Sequence, residues 1–407
     1  MTKTLLSPKT SGNIKAIASK SEVHRLLIAA ALSDKTTEII CEKTNADITA
    51  TAECLKALGA DITYNDSVFT VTPIKEIPDE PVLPCNESGS TLRFLLPLVC
   101  FYGKSGIFEA KGRLSSRPLS PLKEELERYG AEILTEEGFI KITGKTSGTD
   151  FTIPGNVSSQ FISGLLFMLT KTGGSINITG KTESLPYIEM TIDALKLFGC
   201  EISFSGGKIT VEKTSPLISP GKAESGGDWS NAAFFITAGV IGKEKITVSG
   251  LDINSRQGDK KITDILESFG AKIEASDSSV TAYPSELHAF SFDASDIPDL
   301  VPVLSVAAAN AKGVTRITGC KRLRIKESDR IEAVRRLITE LGGKITVEND
   351  DIIITGSPLS GGVTDSENDH RIAMSAAVAA FSCDKEITVN GAEAVNKSYP
   401  SFWDEIK

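Results

Sequence analysis

The sequence predicts an α/β protein of two domains, each assembled from three copies of one repeat around buried helices. Two periodic series carry that reading, a recurring five-residue phrase and a set of apolar helices with the same period. The phrase appears as LGADI at Leu58, YGAEI at Tyr129, FGCEI at Phe198, FGAKI at Phe269 and LGGKI at Leu341. Its glycines, Gly59, Gly130, Gly199, Gly270 and Gly342, lie 71, 69, 71 and 72 residues apart.

Each phrase closes a helical pattern such as ECLKALG and opens an alternating strand pair such as ADITYNDSVFTVTP. The glycine stands just past the helix, in the left-handed conformation where a Cβ would clash. Six apolar helices open on small or polar residues, from Ser19, Ser88, Ser158, Asp228, Ile297 and Asn368. They are hydrophobic almost all round, which places them inside a domain rather than on its surface. The repeat is therefore buried helix, strand, amphipathic helix, strand pair. The sixth copy lacks its last glycine and strand pair, and the strand-like N-terminal KTLLS and NIKAIA are expected to supply the missing strands. Six copies divide as three and three, giving a continuous domain over 18–228 and a split domain of 1–17 with 229–407. That wraparound suits closed domains better than an open solenoid.

The chain has 53 acidic and 44 basic residues in 407, a formal charge of −9, which argues against a general binder of nucleic acid or membrane surfaces. Apolar stretches such as Leu26 to Leu32 and Leu300 to Ala309 are too short to span a bilayer, and the first residues carry no secretion signal. Seven cysteines without a C-x-x-C pair argue against a disulfide framework and for a reducing cytoplasm. Three histidines at 24, 288 and 370, with no H-E-x-x-H spacing, argue against a histidine-built metal site. A cytoplasmic monomer without nucleic-acid or membrane partners is expected.

Polar residues gather at the helix starts, where unpaired N–H groups and the positive end of the dipole favour anions. The first copy has Ser19-Lys20-Ser21 with Arg25 one turn on; the second has Glu87-Ser88-Gly89-Ser90-Thr91-Leu92-Arg93, followed by Arg117-Pro118 at an expected helix start. The third has Ser158-Ser159-Gln160 and then Ser184-Leu185-Pro186-Tyr187. In the fourth, Gly227-Asp228-Trp229-Ser230 and Ser255-Arg256-Gln257-Gly258-Asp259 read equally as caps and turns. The fifth places Asp299 early in an apolar helix, where a carboxylate needs a partner, and Lys326 and Arg330 as i, i+4 neighbours around Glu327. The sixth has Asp369-His370-Arg371 and Lys397-Ser398-Tyr399-Pro400. Read singly, each has an ordinary account as a cap or a solvated ion pair. Together, Lys20, Arg25, Arg93, Arg117, Lys326, Arg330, Arg371 and Lys397 imply a ligand with several negative charges lying between domains.

The ordered set SKS with HR, ESGSTLR, RP, SSQF, SLPYIE, GDWS, IPD, KESDR, DHRIAM and KSYPSF closely resembles the 5-enolpyruvylshikimate-3-phosphate synthase family, from about residue 15 to 403. The resemblance implies two domains of three βαβαββ units each, an inside-out α/β barrel around buried helices, with the active site in the cleft between them. It implies transfer of the enolpyruvyl group of phosphoenolpyruvate to the 5-hydroxyl of shikimate 3-phosphate, with release of phosphate, in chorismate and aromatic amino acid biosynthesis. No metal or organic cofactor is implied. Carried over by motif, Lys20, Ser21, Arg25, Ser158, Ser159, Gln160, Ser184, Asp299 and Lys326 would contact shikimate 3-phosphate. Lys20, Gly89, Arg117, Gln160, Arg330, Arg371 and Lys397 would contact phosphoenolpyruvate. Asp299 would take the proton from the attacking hydroxyl, with Glu327 and Lys20 as the proton donors to the methylene carbon.

Ala18 stands where Pro or Gly is frequent in that family, Glu87 where Asn is common, and Phe94 where some members have Pro; Gly89 is kept, so glyphosate sensitivity is expected. Two other readings compete. The similar UDP-N-acetylglucosamine enolpyruvyl transferases usually carry a cysteine five residues before the R-P arginine, and this chain has Gly112 there. A non-catalytic anion-binding protein built from the same repeats would not need Asp299, Glu327 and Lys20 together.

Overall fold

A computed structural model describes all 407 residues, Met1–Lys407. The chain forms two compact units, Met1–Ile17 with Gly226–Lys407, and Ala18–Ser225. Each has its own continuous hydrophobic core.

Each unit holds three separate sheets around three buried helices, so no sheet closes into a barrel. In the unit Ala18–Ser225 the sheet orders are Lys222–Glu224, Thr37–Ile40, Val68–Thr72, Asp61–Asn65; then Val82–Asn86, Ile107–Ala110, Phe139–Gly144, Ala131–Glu136; then Asp150–Pro154, Gly174–Thr179, Lys208–Val211, Ile202–Ser205. The first pair in every sheet is parallel and the other two pairs are antiparallel. A parallel pair needs a long crossover. The buried helices Gly89–Tyr102 and Ser159–Thr172 provide it for the second and third sheets. Helix Lys20–Ala31 is the third buried helix of this unit.

The split unit repeats the pattern with buried helices Trp229–Ile241, Val301–Ala309 and His370–Ala379. Every residue from Trp229 to Val240 is buried, as the all-round apolar sequence requires. Two of its sheets run Asn13–Lys15, Ile246–Ser249, Ser279–Tyr283, Lys272–Ala275, and Phe292–Asp293, Val314–Thr318, Asp351–Thr355, Lys344–Glu348. The third has Gly362–Asp365, Ile387–Asn390 and Thr2–Leu5.

The N-terminal strands therefore serve two sheets. Thr2–Leu5 completes the sixth repeat, but Asn13–Lys15 pairs in parallel with Ile246–Ser249 of the fourth. The reason is an exchange at the crossings. Lys222–Glu224, the strand just before helix Trp229–Ile241, stays in the other unit beside Thr37–Ile40. That leaves Ile246–Ser249 without its own parallel neighbour, and the strand before helix Lys20–Ala31 fills the place.

All five phrase glycines have positive φ, from +77° at Gly199 to +104° at Gly130. At Gly59 a Cβ would fall 2.2 Å from the Glu76 carbonyl oxygen, with φ +98°. Gly59→Ala is expected to lower unfolding stability by more than about 1 kcal/mol, since both conformation and space oppose the methyl group. Urea unfolding of the two proteins checks this; coincident midpoints would contradict it.

Candidate active site

In the unit Ala18–Ser225 the starts of the three buried helices are tied together by side chains. Ser19, Ser88 and Ser158 cap them, accepting from the N–H groups of Glu22, Thr91 and Gln160. Lys20 Nζ lies 2.9 Å from Asp47 Oδ2. Arg25 is buried and each guanidinium nitrogen has a partner: Nε donates to Thr191 Oγ1 at 2.8 Å, Nη1 to the Ser21 carbonyl at 2.6 Å and Nη2 to the Tyr187 carbonyl at 2.8 Å. Its Cζ sits 4.9 Å from the centre of the Phe94 ring, so the aromatic substitution noted in the sequence supports this arginine. Burial lowers its pKa to about 10.

Gly89, the first residue of its helix, is where two more arginines converge. A Cβ there would stand 2.7 Å from Arg117 Nη1 and 3.1 Å from Arg93 Nη1. Arg93 Nη1 donates to Gln160 Oε1 at 2.7 Å, and Gln160 Nε2 donates to Ser90 Oγ at 2.9 Å. Only glycine leaves the helix N-terminus open beside these guanidiniums. Ser159 is buried in the first turn of its helix, and Ser184 precedes helix Leu185–Leu197 with φ +56°. Arg117 does not precede a helix directly: a short 3-10 turn ends at Ser116, and the helix begins at Leu122. The prolines at 118 and 121 account for the delay, since the residue before each is biased toward extended backbone.

The split unit builds a denser cluster. Asp299 does not lie within its helix, which begins at Val301; it sits in a turn with Pro298 and Leu300, and Pro302 occupies the first helical turn, where its missing N–H costs nothing. Its carboxylate accepts from Arg330 Nη1 at 2.6 Å, Lys326 Nζ at 3.4 Å and Arg371 Nη2 at 3.2 Å. Burial alone would push the Asp299 pKa up. The charges of Arg371, Lys326 and Arg330 more than reverse that, leaving it well below the usual carboxylate range. Lys326 and Arg330 do not share a helical face, because Lys326 is extended and the helix Arg330–Glu340 starts after its cap Asp329. They meet at Asp299 instead. Arg330 is 1% exposed and also binds Glu327 Oε2 at 2.6 Å and Asp369 Oδ2 at 2.7 Å, so three carboxylates surround it. Asp369 in turn caps helix His370–Ala379 through the Arg371 N–H at 2.9 Å. Lys397 Nζ donates to the Asn368 carbonyl at the same helix start.

Asp47, Asp369 and Asp259 were not singled out as site residues by sequence. Asp369 is the first residue of the DHRIAM motif and is a plain N-cap signal. Asp47 is 27 residues from Lys20, and nothing local marks that pairing. Asp259 is fully buried and accepts from Ser230 Oγ.

Gly112 has φ +55°, and a Cβ there would lie 2.7 Å from Glu87 Oε2, so this chain has no ready place for a cysteine at that position. Residues 7–406 match the sequence profile of the family described as EPSP synthase (3-phosphoshikimate 1-carboxyvinyltransferase). The 3-phosphoshikimate 1-carboxyvinyltransferase of Clostridium acetobutylicum is 40% identical over 406 residues, covering 97% of this chain and 94% of the relative. That of Brachyspira hyodysenteriae is 39% identical over 415 residues, covering 100% and 98%. Among solved structures, EPSP synthase from Acinetobacter baumannii aligns with a TM-score of 0.80 at 25% identity, over 99% of this chain and 97% of that one. The enolpyruvyl transferase NikO from Streptomyces tendae shares the fold, with a TM-score of 0.79 at 19% identity over 99% and 96%.

The architecture is thus that of the enolpyruvyl transferases. Within them, the chain belongs to the EPSP synthase family.

Burial, then the charge of Asp299, raises the Asp259 pKa to about 6. An unfolded aspartate loses its proton near pH 4, so between about 4 and 6 folding takes up a proton. Asp259 therefore makes stability fall as pH rises through that window, with no further loss above it. Asp259→Asn is expected to flatten this slope in urea midpoints measured from pH 4 to 7; parallel curves for the two proteins would rule it out.

Proposed function

We propose that this chain transfers the enolpyruvyl group of phosphoenolpyruvate to the 5-hydroxyl of shikimate 3-phosphate, releasing inorganic phosphate, with Asp299 as the base. The transfer serves chorismate and aromatic amino acid biosynthesis. The observation that carries the assignment is an ionised Asp299 held by Arg330, Arg371 and Lys326 beside the start of a buried helix.

Both substrates are multiply anionic, and their mutual repulsion has to be offset before carbon and oxygen can meet. Lys20, Ser21, Arg25, Ser158, Ser159, Gln160, Ser184, Asp299 and Lys326 are assigned to shikimate 3-phosphate. Lys20, Gly89, Arg117, Gln160, Arg330, Arg371 and Lys397 are assigned to phosphoenolpyruvate. A carboxylate tied to three cations is a weak base. An incoming anion competes for Arg330 and Arg371, and in loosening their hold on Asp299 it restores the basicity the reaction needs.

Proton transfer from Glu327 or Lys20 to the methylene carbon makes C2 electrophilic, and the 5-oxygen attacks it as Asp299 takes the hydroxyl proton. The tetrahedral adduct then loses a methyl proton and its phosphate, which restores the enol double bond. The arginines stabilise the departing phosphate.

The seven cysteines are all free and buried, which suits a reducing compartment, and no helix is long and apolar enough to cross a membrane. A cytoplasmic monomer is part of the same proposal.

Phosphate release that requires both substrates is the direct test. Asp299→Ala is expected to lower kcat by about 10²- to 10⁴-fold while shikimate 3-phosphate still binds. A wild-type protein that releases no phosphate would overturn the proposal. Glyphosate is expected to inhibit in competition with phosphoenolpyruvate, because Gly89 leaves the helix start open; undiminished turnover at millimolar glyphosate with phosphoenolpyruvate near its KM would count against that assignment.

A further inference from the structure

A buried hydrogen-bond chain joins two of the helix starts in the unit Ala18–Ser225 through a third helix, Ala46–Ala57. His24 Nδ1 lies 2.6 Å from Thr51 Oγ1, Thr51 Oγ1 lies 2.6 Å from Thr91 Oγ1, and Thr91 Oγ1 donates to Ser88 Oγ at 2.7 Å. Ser88 is the cap of helix Gly89–Tyr102 and accepts the Thr91 N–H at 3.3 Å as well. None of the four residues is more than 1% exposed.

The proton positions along this chain follow from one another. The Thr91 hydroxyl hydrogen is used on Ser88, so Thr51 donates to Thr91. With its only hydrogen used, Thr51 can only accept from His24, whose Nδ1 must carry the proton. Nε2 is then a bare lone pair, in keeping with its lack of any partner. Burial, followed by the charges of Lys20 and Arg25, holds His24 neutral, so this tautomer persists at physiological pH. One turn before Thr51 on the same helix, Asp47 grips Lys20.

We infer that Thr51 is a positioning residue: it registers the helix start bearing Lys20 and Arg25 against the one bearing Gly89, so that both present their anion-binding groups at one spacing. The inference rests on the assignment of Lys20 and Gly89 to phosphoenolpyruvate. Thr51 itself touches no substrate. Without its hydroxyl, His24 loses its acceptor and Thr91 its donor, the cap at Ser88 loosens, and the two helix starts shift independently.

Thr51→Val keeps the shape and removes the hydroxyl; Thr51→Ser restores it. Thr51→Val is expected to raise the KM for phosphoenolpyruvate about tenfold, the scale of one lost buried hydrogen bond, with kcat at saturation changed less than about twofold. Thr51→Ser is expected to return to wild-type values. With three histidines in the chain, ¹⁵N NMR resolves His24, expected as the Nδ1–H tautomer in the wild type and as a mixture in Thr51→Val. Should Thr51→Val fail to fold, Thr91→Val cuts the same chain nearer the cap and carries the same expectations. A wild-type His24 protonated at Nε2, or an unchanged KM despite a lost His24 signature, would overturn the inference. A wild type without turnover overturns the proposed function alone. The relay is then judged by NMR and by calorimetric affinity for inorganic phosphate, which Thr51→Val is expected to weaken about tenfold; no weakening would overturn it.

Discussion

A helix buried on all sides can satisfy its backbone everywhere except in its first and last turns. Six such helices run through this protein, and each brings N–H groups without helical partners to one end of its unit. Most of the buried charged side chains gather around that constraint. Serine or aspartate caps take one N–H on five of them, all but the helix Val301–Ala309, and the remaining positive potential favours anions. The sequence places lysine and arginine at the same ends, where the helix dipole would ordinarily disfavour them. Such placement is costly unless carboxylates or ligands of opposite charge are close by.

The two units meet that cost differently. In Ala18–Ser225, Lys20 faces Asp47, while Arg25 donates to two carbonyls and a threonine and Arg93 donates to the Gln160 amide. The Arg25 guanidinium is oriented by these neutral groups. In the split unit, Arg330 and Arg371 face Asp299, and Arg330 also faces Asp369 and Glu327. Buried ion pairs of this kind add little net stability, because desolvation offsets most of the Coulomb gain. On the proposed function, their value lies in charge that can be redistributed when an anion arrives.

The repeats, the buried helices and most caps were legible in the sequence because each has a local signature: a period near 70, all-round apolarity, and a serine or aspartate at the boundary. The apolar pattern extends the helix back over Asp299, because it runs on through Pro298, which lies in a turn, to Pro302, which lies in the first helical turn. Lys326 and Arg330 stand at i, i+4 in the sequence, yet they meet through Asp299 rather than along a helical face. The Asp47–Lys20 and Thr51–Thr91 contacts join residues 27 and 40 apart whose types are ordinary for a helix, so only the packing reveals them. The strand exchange was illegible for a similar reason. Asn13–Lys15 and Lys222–Glu224 are three-residue strands with one inward side chain each, and either would satisfy the other's sheet.

That exchange bears on the order in which the molecule can assemble on the ribosome. The unit Ala18–Ser225 has its last strand as soon as Lys222–Glu224 is made. The split unit waits much longer: Asn13–Lys15 needs Ile246–Ser249, and Thr2–Leu5 needs Ile387–Asn390. Pairings of such long range form late, and until they do the strand edges stand open to the wrong neighbours. Thr2–Leu5 and Asn13–Lys15 are made before the whole of Ala18–Ser225 but are paired only after it, and they stay exposed while that unit folds behind them.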